Sequence, residues 1–197
     1  MNLFSRALSR PPILLALLLA AAAARAGSPA AAYRGADPQL LTQVRENFEA
    51  ATESVPVARQ LTVLLDSRLP PERESWPAVF RAFRAALEGV RGKHSHLPWV
   101  KYRHVKSALA QFRGLVEAHP DAVELRMLRY SFCSQLPEFF GMGPQAAADL
   151  PVLVAQLERN ADPMVTDVFR RKAAEWILEH GAPPPDLRAR LAGLLDN

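Results

Sequence analysis

Cysteine is almost missing from this chain. Cys133 is the only one in 197 residues, so no intramolecular disulfide can form and packing must supply the stability. Its setting, Tyr130-Ser131-Phe132-Cys133 in an apolar helical stretch, predicts a buried, inert thiol. The familiar catalytic spacings are missing too. There is no HExxH or CxxC pattern, no nucleophile elbow, no phosphate-cradling glycine loop and no paired-carboxylate motif, which leaves no local signature of metal, acyl-transfer or phosphate chemistry. No segment alternates with period two over a useful length, so no strand is predicted. Long apolar runs are scarce: the one over residues 13–24 has twelve residues, too few for a membrane-spanning helix, which needs about 20.

That run reads instead as the core of a secretory signal peptide over residues 1–26. Arg6 and Arg10 give its basic start, and Ala24-Arg25-Ala26 gives a small-x-small cleavage site before Gly27. The expected destination is the periplasm or the medium. No cysteine follows the apolar run, so a lipoprotein anchor is not expected. Removing the signal also removes most of the positive charge. The whole chain has 24 basic and 20 acidic residues, but residues 1–26 hold three arginines and no acid, leaving a net charge of about +1. A nucleic-acid footprint needs a domain-wide basic excess or stripe, and nucleic acid is not an expected partner. One local excess survives: residues 76–116 carry eight basic side chains against a single acid, Glu88.

The mature chain has the length of one domain with a real core. Residues 27–36 are expected to be a flexible leader, and residues 37–197 a single all-α domain, a compact bundle of about seven to eight helices. Asp37-Pro38 places an N-cap before a proline tolerated in the first turn, and Leu40, Leu41, Val44 and Phe48 follow at helical spacing. A second helix carries Val57, Leu61, Leu64 and Leu65; a third carries Val79, Phe80, Phe83, Leu87 and Val90 in one stripe. The fourth is expected over residues 99–117 and the fifth up to Leu136, with Pro137 stopping it. Residues 138–148 read as irregular, Asp149 as the cap of a sixth helix and Asp162 as the cap of a seventh. Gly181 closes the seventh, and Leu187, Leu191 and Leu194 mark a short last helix.

The fourth helix and its exit carry Ala108-x3-Phe112-x7-Pro120, which resembles half of a tetratricopeptide repeat. The resemblance implies tetratricopeptide-like helix pairing in the middle of the bundle. Over residues 78–155 the run Lys93-His94, Pro98, Lys101, His119-Pro120-Asp121, Glu124-Leu125-Arg126-Met127-Leu128-Arg129, Phe139-Phe140-Gly141 and Asp149 resembles a group of small exported bacterial proteins without an assigned activity. It implies attention to residues 93–149 and no particular reaction.

Three features in that stretch could bind something. Arg129 falls beside the Leu125-Leu128-Phe132-Leu136 stripe and is therefore aimed at the core, where an arginine needs an anionic partner. That partner is expected to be internal, Glu138, Asp149 or an acid of another helix, or else a bound carboxylate or phosphate held by the planar forks of Arg126 and Arg129. Lys93, His94 and Lys101 are further anion-binding candidates. His94, His96 and His104 could in principle ligate zinc, but Lys93, Lys101, Arg103 and Lys106 surround them and repel a dication, so no metal and no cofactor are expected. Phe139 and Phe140 are candidates for docking a partner. The reading is an exported binding or scaffold module of the cell envelope, leaning to non-enzymatic, its partner another envelope protein or a small anion, with no stable membrane anchor. The alternative is a small anion-binding protein or enzyme built on Arg126, Arg129 and the His94/His96 loop.

Overall fold

The computed structural model describes residues 28–196 and contains eight α-helices and no strand among them, the all-α class that the helical periodicity predicts. The signal peptide expected over residues 1–26 lies outside the described residues. The helices are α1 (Pro38–Glu53), α2 (Val55–Arg68), α3 (Ala78–Lys93), α4 (Pro98–Ala118), α5 (Val123–Ser134), α6 (Gly143–Arg159), α7 (Asp167–His180) and α8 (Pro185–Gly193). Short 3-10 turns occupy Pro29–Tyr33, Arg73–Ser75 and Glu138–Phe140.

Local chemistry sets the boundaries. Asp37 caps α1 by accepting the backbone N–H of Gln39 at 2.8 Å and of Leu40 at 3.3 Å, while Pro38 sits where an N–H would have no partner anyway. The predicted stripe of α3 is buried, and two glycines let other helices approach it closely. A Cβ on Gly92 would stand 3.1 Å from the Cβ of His104 on α4, and one on Gly89 would run into the Phe132 ring of α5. Thus α3 is clasped between α4 and α5.

Two apolar clusters meet at α5. The first joins α1 to α4 with Leu125 and Leu128 of α5; the second joins Val123, Tyr130 and Cys133 of α5 to Leu150, Leu153, Leu157, Ile177 and Leu191. As the wall between two cores, α5 is covered nearly all round. Its polar residues are consequently buried: Glu124, Arg126 and Arg129 are 2%, 8% and 9% exposed. The Cys133 thiol is buried as well, and burial pushes its pKa up to about 12, with nearby Asp149 adding to the rise and Arg129 opposing it. At neutral pH that thiol is protonated and a poor nucleophile.

Four local expectations are corrected. The stretch expected to be a flexible leader contains the Pro29–Tyr33 turn, with Ala32 and Tyr33 buried against α3; burial of the tyrosine ring offsets part of the entropy lost in ordering the segment. The fifth helix ends at Ser134, and Leu136 lies beyond it, because Pro137 forces its predecessor out of helical geometry. Asp149 is interior to α6, which starts at Gly143 with Pro144 in its first turn, since Ala146, Ala147 and Ala148 are strong helix formers. The cap of α7 is Thr166, whose side chain accepts from Phe169 N at 3.2 Å; Asp162 instead accepts from Val123 N at 3.3 Å and Met164 N at 3.0 Å.

Candidate functional site

Arg126 and Arg129 are one turn apart on α5 and project toward α6 as a pair. Asp149 of α6 meets both. Its Oδ1 accepts from Arg126 Nη1 at 2.8 Å and from Arg129 Nη2 at 2.5 Å, while its Oδ2 accepts from Arg129 Nε at 2.8 Å. The rest of the Arg126 fork is satisfied by Gln156 Oε1 at 3.1 Å and the Pro120 carbonyl at 2.8 Å, and Gln156 Nε2 donates to the same carbonyl at 2.9 Å. Asp149 is only 1% exposed. The internal partner expected for Arg129 is therefore Asp149, and Glu138 is exposed elsewhere. Arg126 and Arg129, read as anion-binding candidates, have their forks filled by the protein's own acceptors. A ligand would have to displace a buried carboxylate and leave it unpaired, at a cost of several kcal/mol, about 3–5.

The other face of α5 repeats the device with the signs exchanged. Glu124 accepts a bidentate pair from Arg45 of α1, Nε at 2.8 Å and Nη2 at 2.7 Å. Asp162 and the Tyr33 hydroxyl face this pair. Burial raises the Tyr33 pKa far above its ordinary value, with Glu124 and Asp162 adding to the rise; burial also raises that of Asp162, against its backbone hydrogen bonds and Arg45. Both arrangements tie neighbouring helices to α5. Neither presents a group to solvent in a form suited to chemistry.

The histidine region does not converge. Lys93 is tied to Glu53 Oε1 at 2.9 Å and to the Thr52 carbonyl at 3.1 Å. His94 lies beside that pair and its Nε2 is buried without a hydrogen-bond partner, whereas His96 is exposed. His104 turns away to Glu88, Nδ1 to Oε1 at 2.6 Å. Burial alone would raise the Glu88 pKa, but the His104 hydrogen bond and charge, with Arg84 and Arg91, hold it below its ordinary value. Lys101 lies on the face of α4 that meets α3, its carbonyl oxygen 3.3 Å from where a Gly92 Cβ would be. Among the described residues no group of three or more His, Cys, Asp or Glu is arranged to hold a metal.

The opposite face of α4 is open. Trp99 is 66% exposed, Tyr102 51% and the preceding Leu97 47%, and Phe139 from the Glu138–Phe140 turn is 75% exposed. Three rings are in contact, Tyr102 on Phe140 at 5.8 Å between ring centres and Phe140 on Phe139 at 4.4 Å, and Trp99 extends the ridge from one helical turn before Tyr102. Gly141, at φ +67°, closes the turn that presents the two phenylalanines, a conformation costly for a side chain with a Cβ. Helical spacing puts Arg103, Lys106 and Arg113 on the same side as Trp99, all three exposed. Lys106 Nζ lies 5.9 Å from the Tyr102 ring centre, and none of the three cations is ion-paired within the described residues.

Among the expected docking residues, Phe139 and Phe140 are thus brought together, and Trp99 and Tyr102 join them. The signal for Trp99 was the placement of α4 residues at 100° each, which sets it roughly opposite Val105, Ala108 and Phe112, whereas Tyr102 falls on the flank of that buried face. Chemically this surface can bury aromatic area and attract anions. Compared with known proteins, the chain matches no family model, no curated protein and no solved structure.

Proposed function

We propose that the protein is an exported, non-enzymatic binding module of the bacterial cell envelope that docks its partner through the Trp99–Tyr102–Phe140–Phe139 ridge. The carrying observation is that Tyr102, Phe140 and Phe139 stack into one surface, with Trp99 one turn away on α4, and that three of these four rings are more than half exposed. Burying a ring of that size on docking contributes roughly 1.5–3 kcal/mol each, and aromatic clusters of this kind are characteristic of binding hot spots. The helix behind the ridge is a firm support, since Ala108 and Phe112 of α4 are fully buried and Phe112 packs on Phe132 of α5. Tetratricopeptide-like pairing of α3 with α4 belongs to this reading. The filled forks of Arg126 and Arg129 favour it over an anion pocket in the interior.

Site-specific photo-crosslinking tests the proposal. p-Benzoylphenylalanine, which keeps an aromatic ring, is placed at position 99 or 139 in cells of origin, with position 168 as a comparison because Val168 is 67% exposed on α7. Adducts at 99 and 139 several-fold above those at 168 are expected. Equal yields at all three positions would remove the ridge as a docking surface.

A further inference from the structure

We infer that the surface docked by the ridge is the anionic headgroup layer of a phospholipid bilayer, bound peripherally and reversibly. This rests on the ridge being the docking surface, and it names the partner's chemistry. Three observations carry it. First, the rings protrude: Phe139 at 75% and Trp99 at 66% exposure are crests and not the walls of a cleft. Two shallow hollows among the described residues lie elsewhere, beside Pro38 and Glu46 on α1 and between Pro29, Asp121 and Arg159. Protruding tryptophan, tyrosine and phenylalanine suit a soft layer that closes around them, where the polar edges of Trp and Tyr stay hydrated.

Second, the charge is one-signed. No acid occurs between Glu88 and Glu117, and Arg103, Lys106 and Arg113 line the face behind Trp99. From Trp99 to Arg113 this stripe runs about 21 Å at 1.5 Å per residue, long enough to lie along a surface. Glu117 ends it, and the one acid on the turn, exposed Glu138, is its first residue. Third, these cations have no ion pair among the described residues, whereas cations nearer the core are neutralised: Arg45 by Glu124, Arg84 by Glu88 and Asp66, Arg126 and Arg129 by Asp149. Basic side chains near an anionic bilayer gain from its surface potential, and aromatics set the depth of contact. Among the described residues no helix is long and apolar enough to cross a membrane, in keeping with a contact made by side chains alone.

Co-sedimentation of the mature chain with phosphatidylglycerol/phosphatidylcholine vesicles, against phosphatidylcholine vesicles, tests the inference. Binding to the anionic vesicles at least tenfold tighter is expected, with most of it lost in high salt. Arg103→Glu with Lys106→Glu should weaken it by tenfold or more. Arg171→Glu with Lys172→Glu, an equal charge change on exposed positions of α7, should weaken it less than threefold. Trp emission should shift to the blue on anionic vesicles and the shift should vanish in Trp99→Phe. Equal affinity for both vesicle types, or equal loss in the two charge-reversal variants, would overturn the assignment. If neither vesicle is bound while positions 99 and 139 still crosslink to a polypeptide, the lipid assignment falls and the docking surface stands. If both vesicle binding and crosslinking are absent, both fall.

Discussion

Two groups of cations in this protein have opposite fates. Arg126 and Arg129 lie in the wall between the two cores, where Asp149, Gln156 and the Pro120 carbonyl take up their donors. Arg103, Lys106 and Arg113 lie on the outer face of α4 with no ion pair among the described residues and an aromatic ridge beside them. In the interior a charge is stable only with its acceptors in place, so a buried arginine is already committed. On the surface an unpaired cation costs little because water solvates it. What asks for an explanation there is its company: three aromatic side chains that burial would have favoured.

The comparison is sharpened most by Asp149. Asp149→Ala strands two buried guanidiniums at once, and urea unfolding should show a loss of about 3–5 kcal/mol. A loss below about 1 kcal/mol would mean that the interior cluster is not held by this carboxylate. Arg129→Met should cost less, about 1–3 kcal/mol, because Arg126 still neutralises Asp149 in that variant. If Arg129→Met proved the worse of the two, the order of dependence would be reversed. Trp99→Ala with Phe139→Ala should leave the unfolding free energy within about 0.5 kcal/mol of the parent, since neither ring is part of a core. A large loss would make the ridge a structural element.

The smallest expected effect is one of pH. His119 precedes Pro120, whose carbonyl seals the arginine cluster, and burial, with Arg81 nearby, lowers its pKa below the ordinary 6.5. The folded state then holds the proton less tightly than the unfolded chain. Its contribution to stability is complete above pH 6.5 and declines as the pH falls from 6.5 through the folded value. His119→Gln should flatten the stability profile over that window, measured by thermal unfolding at a series of pH values.

Much of this was legible in the residues, for reasons that differ between elements. Proline and aspartate at helix starts and 3.6-residue periodicity are local signals, and they located α1, α3 and α8 well. Asp149 and Asp162 were misplaced because an aspartate before an apolar run looks the same as a cap whether its carboxylate meets its own helix or another one. Its partners, Arg126 and Arg129 for one and Val123 for the other, are distant in sequence. Periodicity did aim Arg129 at the core and so required an acid there. The bidentate Arg45–Glu124 pair gave no such signal, since Arg45 neighbours the apolar stripe of α1 as many solvated arginines do. Phe139 and Phe140 stood out by composition, but the stacking of Phe140 on Tyr102 needed the fold that returns the turn after α5 to the start of α4.

The central claim is that recognition belongs to the open ridge and stability to the sealed cluster. Anionic-vesicle affinity and unfolding free energy, measured together on Trp99→Ala/Phe139→Ala and on Arg129→Met, test it most directly. The account predicts that the ridge variant loses affinity by tenfold or more at unchanged stability, while Arg129→Met loses stability and, where folded, keeps its affinity. Loss of affinity in Arg129→Met with the ridge variant unaffected would contradict it and return the binding site to the interior arginines.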